Sequence, residues 1–145
     1  MKIKSKEQII NYFISGYKNE QLIGVENEKF LFKKNHNKRA EYSDLLKIFN
    51  IFIERFGWQP IKEDEHIIGL KKNEKAITLE PGNQIELSGE KLTNIHEVCS
   101  ESYEFQDKLN LASEEVNLKT LSVGYDPFSN LEKIPNNPKK RYKVM

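Results

Sequence analysis

The sequence predicts an α+β fold, with helices covering one face of a mostly antiparallel sheet. Two long stretches carry apolar residues at three- and four-residue steps, the mark of amphipathic helices. Several shorter stretches alternate apolar and polar residues, as half-buried strands do. The order along the chain is helix, strand, helix, several strands, helix, strand, which suits layered α+β packing.

Taken in order, residues 6–17 read as a short helix with Ile9, Ile10, Phe13, Ile14 and Tyr17 on one side. Residues 21–34 read as a strand, followed by the polar loop Asn35-His36-Asn37-Lys38-Arg39. Residues 40–56 form the clearest helix, with Tyr42, Leu45, Leu46, Phe49, Phe52, Ile53 and Phe56 on its apolar stripe. Gly57 suits its C-terminal cap. Short strands are expected at 58–61, 66–71 and 75–80, with a turn at Asn73-Glu74. A second long helix spans about 93–116, capped by Thr93 or Asn94. Its expected inward residues are Ile95, Val98, Cys99, Ser102, Leu109 and Ala112. Residues 118–125 suggest a last strand, ending at Asp126-Pro127. The prolines in Ile134-Pro135-Asn136-Asn137-Pro138 predict irregular backbone. Arg141–Met145 then regains apolar character, as though another element were starting there.

The 145 residues suit one domain, or part of a larger one. Lys and Arg number 23 against 22 Asp and Glu, so overall charge gives no case for nucleic acid or an anionic membrane. No apolar run approaches the ~20 residues of a membrane span. The N-terminus lacks the apolar segment of a signal peptide. The single cysteine rules out an internal disulfide and a cysteine-based zinc site. These features lead to the expectation of a cytoplasmic protein.

The most informative feature is a pair of acid-rich strand segments, Ile23–Phe30 and Ile77–Gly89. Alternation puts Glu26 and Glu28 on one face of the first, and Glu80, Gln84, Glu86 and Ser88 on one face of the second. Pro81-Gly82 allows either a tight turn or a bulge in one long strand. With a three-residue turn, Leu79 opposes Ile85 and Thr78 opposes Glu86. A fully extended chain would hold Glu80 and Glu86 ~20 Å apart. Grouped carboxylates repel one another unless a cation lies between them, and a divalent ion with phosphate meets that need. A solvated acidic face is the alternative.

Six stretches, in order over nearly the whole chain, resemble glutamate–cysteine ligases of the plant and alphaproteobacterial type. They are Ile23–Phe30, Phe56-Gly57-Trp58-Gln59-Pro60-Ile61, Ile67-Ile68-Gly69-Leu70, Leu79–Gly89, His96-Glu97-Val98-Cys99 and Pro138–Met145. The chain departs from the usual pattern at Asn27, where histidine is commoner. It departs again at Lys140, where glycine usually precedes Arg141, and at Phe128-Ser129, where Lys-Trp usually follows Asp126-Pro127.

The resemblance implies a partial curved antiparallel sheet similar to that of glutamine synthetase, with helices on its outer face. It implies that residues 1–145 are the N-terminal part of a longer catalytic domain, inactive on their own. The implied reaction is ATP- and Mg²⁺-dependent joining of the L-glutamate γ-carboxylate to L-cysteine through γ-glutamyl phosphate, the first step of glutathione synthesis. Glu26, Glu28, Glu80 and Glu86 are then the expected Mg²⁺ ligands, Lys29 an ATP contact, and Gln84, Ser88 and Arg141 substrate contacts. No residue is assigned a covalent or proton-transfer role. Lys29 points, by strict alternation, away from the acids. The exposed sheet edges of a part-domain invite association, and a homodimer of the longer protein is compatible with the resemblance.

Two other readings share these residues: another carboxylate–amine ligase of the same fold, and a non-catalytic metal- or amino-acid-binding module. Cys99 is expected to be a buried thiol. The resemblance to plant members adds a redox disulfide at this position, with a partner beyond residue 145. His96 suits a capping or packing role, and His36 and His66 are expected to be exposed.

Overall fold

The structure is a computed structural model that describes residues 2–17 and 21–143. Val144 and Met145, which belong to the expected C-terminal element, lie outside the described residues.

Helix α1, Lys6–Ser15, starts at Ser5, whose hydroxyl accepts the Gln8 N–H. None of its residues is buried, and Ile9, Ile10, Phe13 and Ile14 are all exposed. Its apolar side therefore adds nothing to the core. Strand β1, Glu26–Lys33, is shorter than the sequence suggested. Helix α2, Tyr42–Phe56, ends at Gly57, which adopts φ +70° and donates to the Phe52 carbonyl. Only the left-handed region serves that cap, and glycine enters it without steric cost. Strands β2 (Gln59–Glu63), β3 (His66–Lys72), β4 (Lys75–Glu80) and β5 (Gln84–Ser88) follow. Helix α3, Ile95–Glu115, is capped by Asn94, whose Oδ1 accepts from the backbones of His96 and Glu97. Strand β6, Leu118–Leu121, closes the set.

The six strands form one sheet in the order β2-β3-β4-β5-β1-β6, every neighbouring pair antiparallel. This is the expected α+β class, with an open sheet. β1 changes partner midway: Glu26–Lys29 pair with β5, and Phe30–Lys33 pair with β6. Opposite β6, the returning chain bonds to the second half of β1, with Ala40 N–H donating to the Leu31 carbonyl at 2.9 Å.

Leu31, Ile77, Leu79, Ile85 and Leu87 form the buried sheet face. They pack with Leu45, Ile48, Phe49 and Phe52 of α2 and with Phe105, Leu109 and Ala112 of α3. Each such side chain, fully withdrawn from water, contributes about 1.5–3 kcal/mol.

The inward stripe of α3 differs from the sequence reading. It runs through Val98, Glu101, Phe105, Leu109 and Ala112. Cys99 and Ile95 are exposed, so the expected buried thiol is corrected. The cause is helical phase: Val98 and Leu109 fix the stripe, and Cys99 stands one residue, or about 100°, from Val98. Glu101 takes an inward position because partners meet it there. It accepts the Glu90 N–H at 3.1 Å and lies 3.8 Å from the Lys75 ammonium.

Candidate active site

The β4–β5 connection decides how the acids are arranged. Pro81–Asn83 make a single tight turn, with Gly82 at φ +70° and Asn83 at φ +58°. Leu79 consequently opposes Ile85, Thr78 opposes Glu86, and Glu80 opposes Gln84. The turn, not the bulge, is realised.

On the other side of β5, Glu28 opposes Glu86 and Glu26 opposes Ser88. Directly paired residues share a face of the sheet. Glu26, Glu28, Glu80, Gln84, Glu86 and Ser88 therefore all lie on the face away from α2 and α3. β4, β5 and β1 are adjacent, so no long separation intervenes.

Crowding leaves an electrostatic trace. The Glu28 carboxyl is held above its ordinary value, first by partial loss of hydration and then by repulsion from Glu86, Glu80 and Glu26. Ser88 Oγ donates to Glu86 Oε1 at 2.8 Å, so a residue expected at substrate supports a carboxylate here.

Glu80 has a different environment. Arg141 Nη2 stands 3.0 Å from each of its oxygens, the Tyr142 hydroxyl donates at 3.1 Å, and Lys139 Nζ lies 3.5 Å away. Burial holds the Lys139 ammonium below its ordinary value, despite the neighbouring Glu80 charge. The four expected ligands thus share a face but are not drawn to one point. Among the described residues, no three His, Cys, Asp or Glu side chains form an ion-sized cluster as they stand.

Lys29 is not brought to the acids. Its register partner is Ile85, on the helix-covered face, and its ammonium donates to Asn27 Oδ1. His96 contributes its backbone N–H to the α3 cap. His36 is exposed, and His66 stands edge-on to the Tyr42 ring.

The same sheet face continues past Glu28 to Phe30 and Phe32, and there it is covered. Arg39 lies over the Phe30 ring at 4.5 Å, bonds Asp126 Oδ2 at 2.9 Å through Nη1, and donates to the Gly82 carbonyl through Nη2. Both charged side chains are almost fully buried, 3% and 6% exposed. Burial alone would raise the Asp126 carboxyl. Bonds from Ser129, Phe128 and Arg39 outweigh it and hold the group down at about 2. This assembly fixes the turn between Glu80 and Gln84. Gln84 also lines a hollow of about 480 Å³ with Phe30, Arg39, Asp126 and Asn136.

Sequence reading missed Arg39, Asp126 and Lys139. Asp126-Pro127 carried a turn signal, since aspartate before proline starts turns by bonding nearby backbone N–H groups. Its carboxylate does accept from Phe128 and Ser129. Arg39 and Lys139 sat in polar, basic stretches that gave no local sign of burial.

Residues 22–145 match glutamate-cysteine ligase family 2. The chain belongs to that family.

Among curated relatives, it is 37% identical to the chloroplastic glutamate–cysteine ligase of Brassica juncea, over 97% of this chain and 28% of that protein. The chloroplastic enzyme of Arabidopsis thaliana is likewise 37% identical, with 97% and 27% covered. So is the chloroplastic enzyme A of Oryza sativa subsp. japonica, with 97% and 29% covered. The chain therefore spans a little over a quarter of the length of these family members. Their names point to a plastid, and this overturns the cytoplasmic expectation. No helix among the described residues is long and apolar enough to cross a membrane.

Proposed function

We propose that this chain supplies the carboxylate wall of a glutamate–cysteine ligase, within the N-terminal part of its catalytic domain. The observation that carries this reading is the register of Glu28 against Glu86. Glu26 and Glu80 lie on the same face of three adjacent strands, in a chain of this family.

The chemistry asks for such a wall. A carboxylate is a poor acyl donor, so ATP must convert the glutamate γ-carboxyl to an acyl phosphate before the cysteine amine attacks. Phosphoryl transfer to a carboxylate crowds anionic oxygens, and catalysis rests on positioning and charge neutralisation. Mg²⁺, when bound, supplies positive charge between phosphate and protein oxygens.

The residues present fit that ion. Glu28 and Glu86 are hard oxygen donors on paired strands, mutually repelling in the absence of a cation. Glu26 flanks them, and Glu80 joins from β4 once its partners release it. Gln84 and Ser88 share that face and would bond substrate glutamate from it, and Ser88 also steadies Glu86. Arg141 is the cation suited to a substrate carboxylate or phosphate. Lys29, on the opposite face, is left out of this reading.

A chimera tests it, with these residues replacing the matching stretch of the Brassica juncea enzyme. It should release ADP dependent on both glutamate and cysteine, and E28Q or E86Q should lower that rate by roughly 10²-fold or more. Residues 1–145 alone should make no peptide bond. A folded chimera that releases no ADP with any glutamate–amine pair would sink the ligase reading.

A further inference from the structure

The acids differ in how they are engaged. Glu26 and Glu28 have no cationic side chain within ion-pair distance among the described residues, and Glu86 is met by the Ser88 hydroxyl at 2.8 Å and by the Glu28 carboxyl. Glu80, on the same face, is saturated. Its Oε1 faces Thr78 at 3.3 Å, Arg141 at 3.0 Å and Lys139 at 3.5 Å, and its Oε2 faces Arg141 at 3.0 Å and Tyr142 at 3.1 Å. A carboxylate offers about four lone-pair directions. None is left for an ion.

The cationic turn is built to stay there. Asn137 Nδ2 donates to the Glu80 backbone carbonyl at 2.9 Å, and Asn137 Oδ1 accepts the Lys139 N–H at 3.2 Å. Lys140 anchors the other side of the turn to the β2–β3 hairpin. Its N–H donates to Glu63 at 2.7 Å, and its ammonium meets Asp64 at 2.9 Å. The hold is nonetheless reversible, because the Arg141 side chain is 58% exposed and an ion pair open to water is weak.

We propose that the turn Lys139–Tyr142 is a latch that holds Glu80 in place of a divalent cation, so that latch and cation compete for one carboxylate. This rests on the metal-binding reading above. It adds a coupling: Arg141 cannot grip a substrate anion while it holds Glu80, so cation loading and the freeing of Arg141 become one event.

The test uses residues 1–145 with Mn²⁺ as the probe, followed by paramagnetic resonance of the free ion. R141A should bind Mn²⁺ roughly fivefold more tightly than wild type, because a competitor is gone. E80Q should bind it more weakly. Trypsin supplies an independent readout. Cleavage after Arg141 should be slow in the wild-type chain and accelerate with Mn²⁺. In E80Q it should be fast from the start and indifferent to the ion. If Mn²⁺ binds but R141A binds it no more tightly, or cleavage ignores the ion in wild type, the latch is overturned and the metal reading survives. If neither wild type nor R141A binds Mn²⁺, both fall.

Discussion

One face of β1 holds two opposite solutions to the same problem. In its first half, Glu26 and Glu28 are exposed, and Glu28 confronts Glu86 with no cationic side chain of the described residues paired to Glu28. In its second half, Phe30 and Phe32 lie beneath Arg39, which Asp126 neutralises. The difference is cover. Where the segment that follows β6 crosses the sheet, the buried charges of Arg39 and Asp126 face each other as an ion pair. Where it is absent, like charges stand side by side. The proposed cation-binding role of the open half would account for that contrast.

The sharpest way to break this comparison is to remove one member of the covered pair. R39M would leave Asp126 buried without its cation and is expected to lower stability by about 3–5 kcal/mol in urea denaturation. A loss below ~1 kcal/mol would mean that the covered half is not held by its ion pair. D126N keeps the shape and deletes the charge. Because Asp126 titrates at about 2 in the fold against 3.8 ordinarily, its charged form stabilises the protein above pH 3.8. That contribution fades as pH falls through about 2. D126N should therefore cost about 2 kcal/mol at pH 7, with the gap to wild type closing in acid. A gap independent of pH would refute the charge argument.

The smallest effect belongs to the open half, and it has the opposite sign. The Glu28 carboxyl is raised in the fold, so its contribution is present at acid pH and lost as pH rises through its folded value. E28Q should match wild type in acid. At neutral pH it should be slightly more stable, by roughly 0.5 kcal/mol or less after screening by solvent. A clear loss of melting temperature at pH 7 would show that Glu28 serves the fold and not a ligand.

Much of the fold was legible because it is local. The apolar stripe of α2 and the Gly57 cap are encoded within a few turns of backbone. The Leu79–Ile85 pairing follows from turn length and strand alternation. The face shared by Glu26, Glu28, Glu80 and Glu86 was legible for the same reason. What escaped is not local. α1 shows an apolar stripe in sequence, but whether another element covers it depends on the rest of the protein. Cys99 misled because two neighbouring helical phases fit the apolar residues of α3, and the inward place went to Glu101, whose Lys75 and Glu90 partners come from elsewhere. The engagement of Glu80 by Lys139, Arg141 and Tyr142 joins positions some sixty residues apart.

The midway change of partner in β1 has a mechanical corollary. Its amino-terminal half moves with the β4–β5 hairpin, and its carboxyl-terminal half moves with β6 and, through β6, with α3. A push on the outer surface of α3 therefore has two routes to the charged wall. One runs through β6 and the Lys29–Phe30 peptide link. The other runs through Glu101, which takes the Glu90 N–H just beyond β5 and lies 3.8 Å from Lys75 at the start of β4.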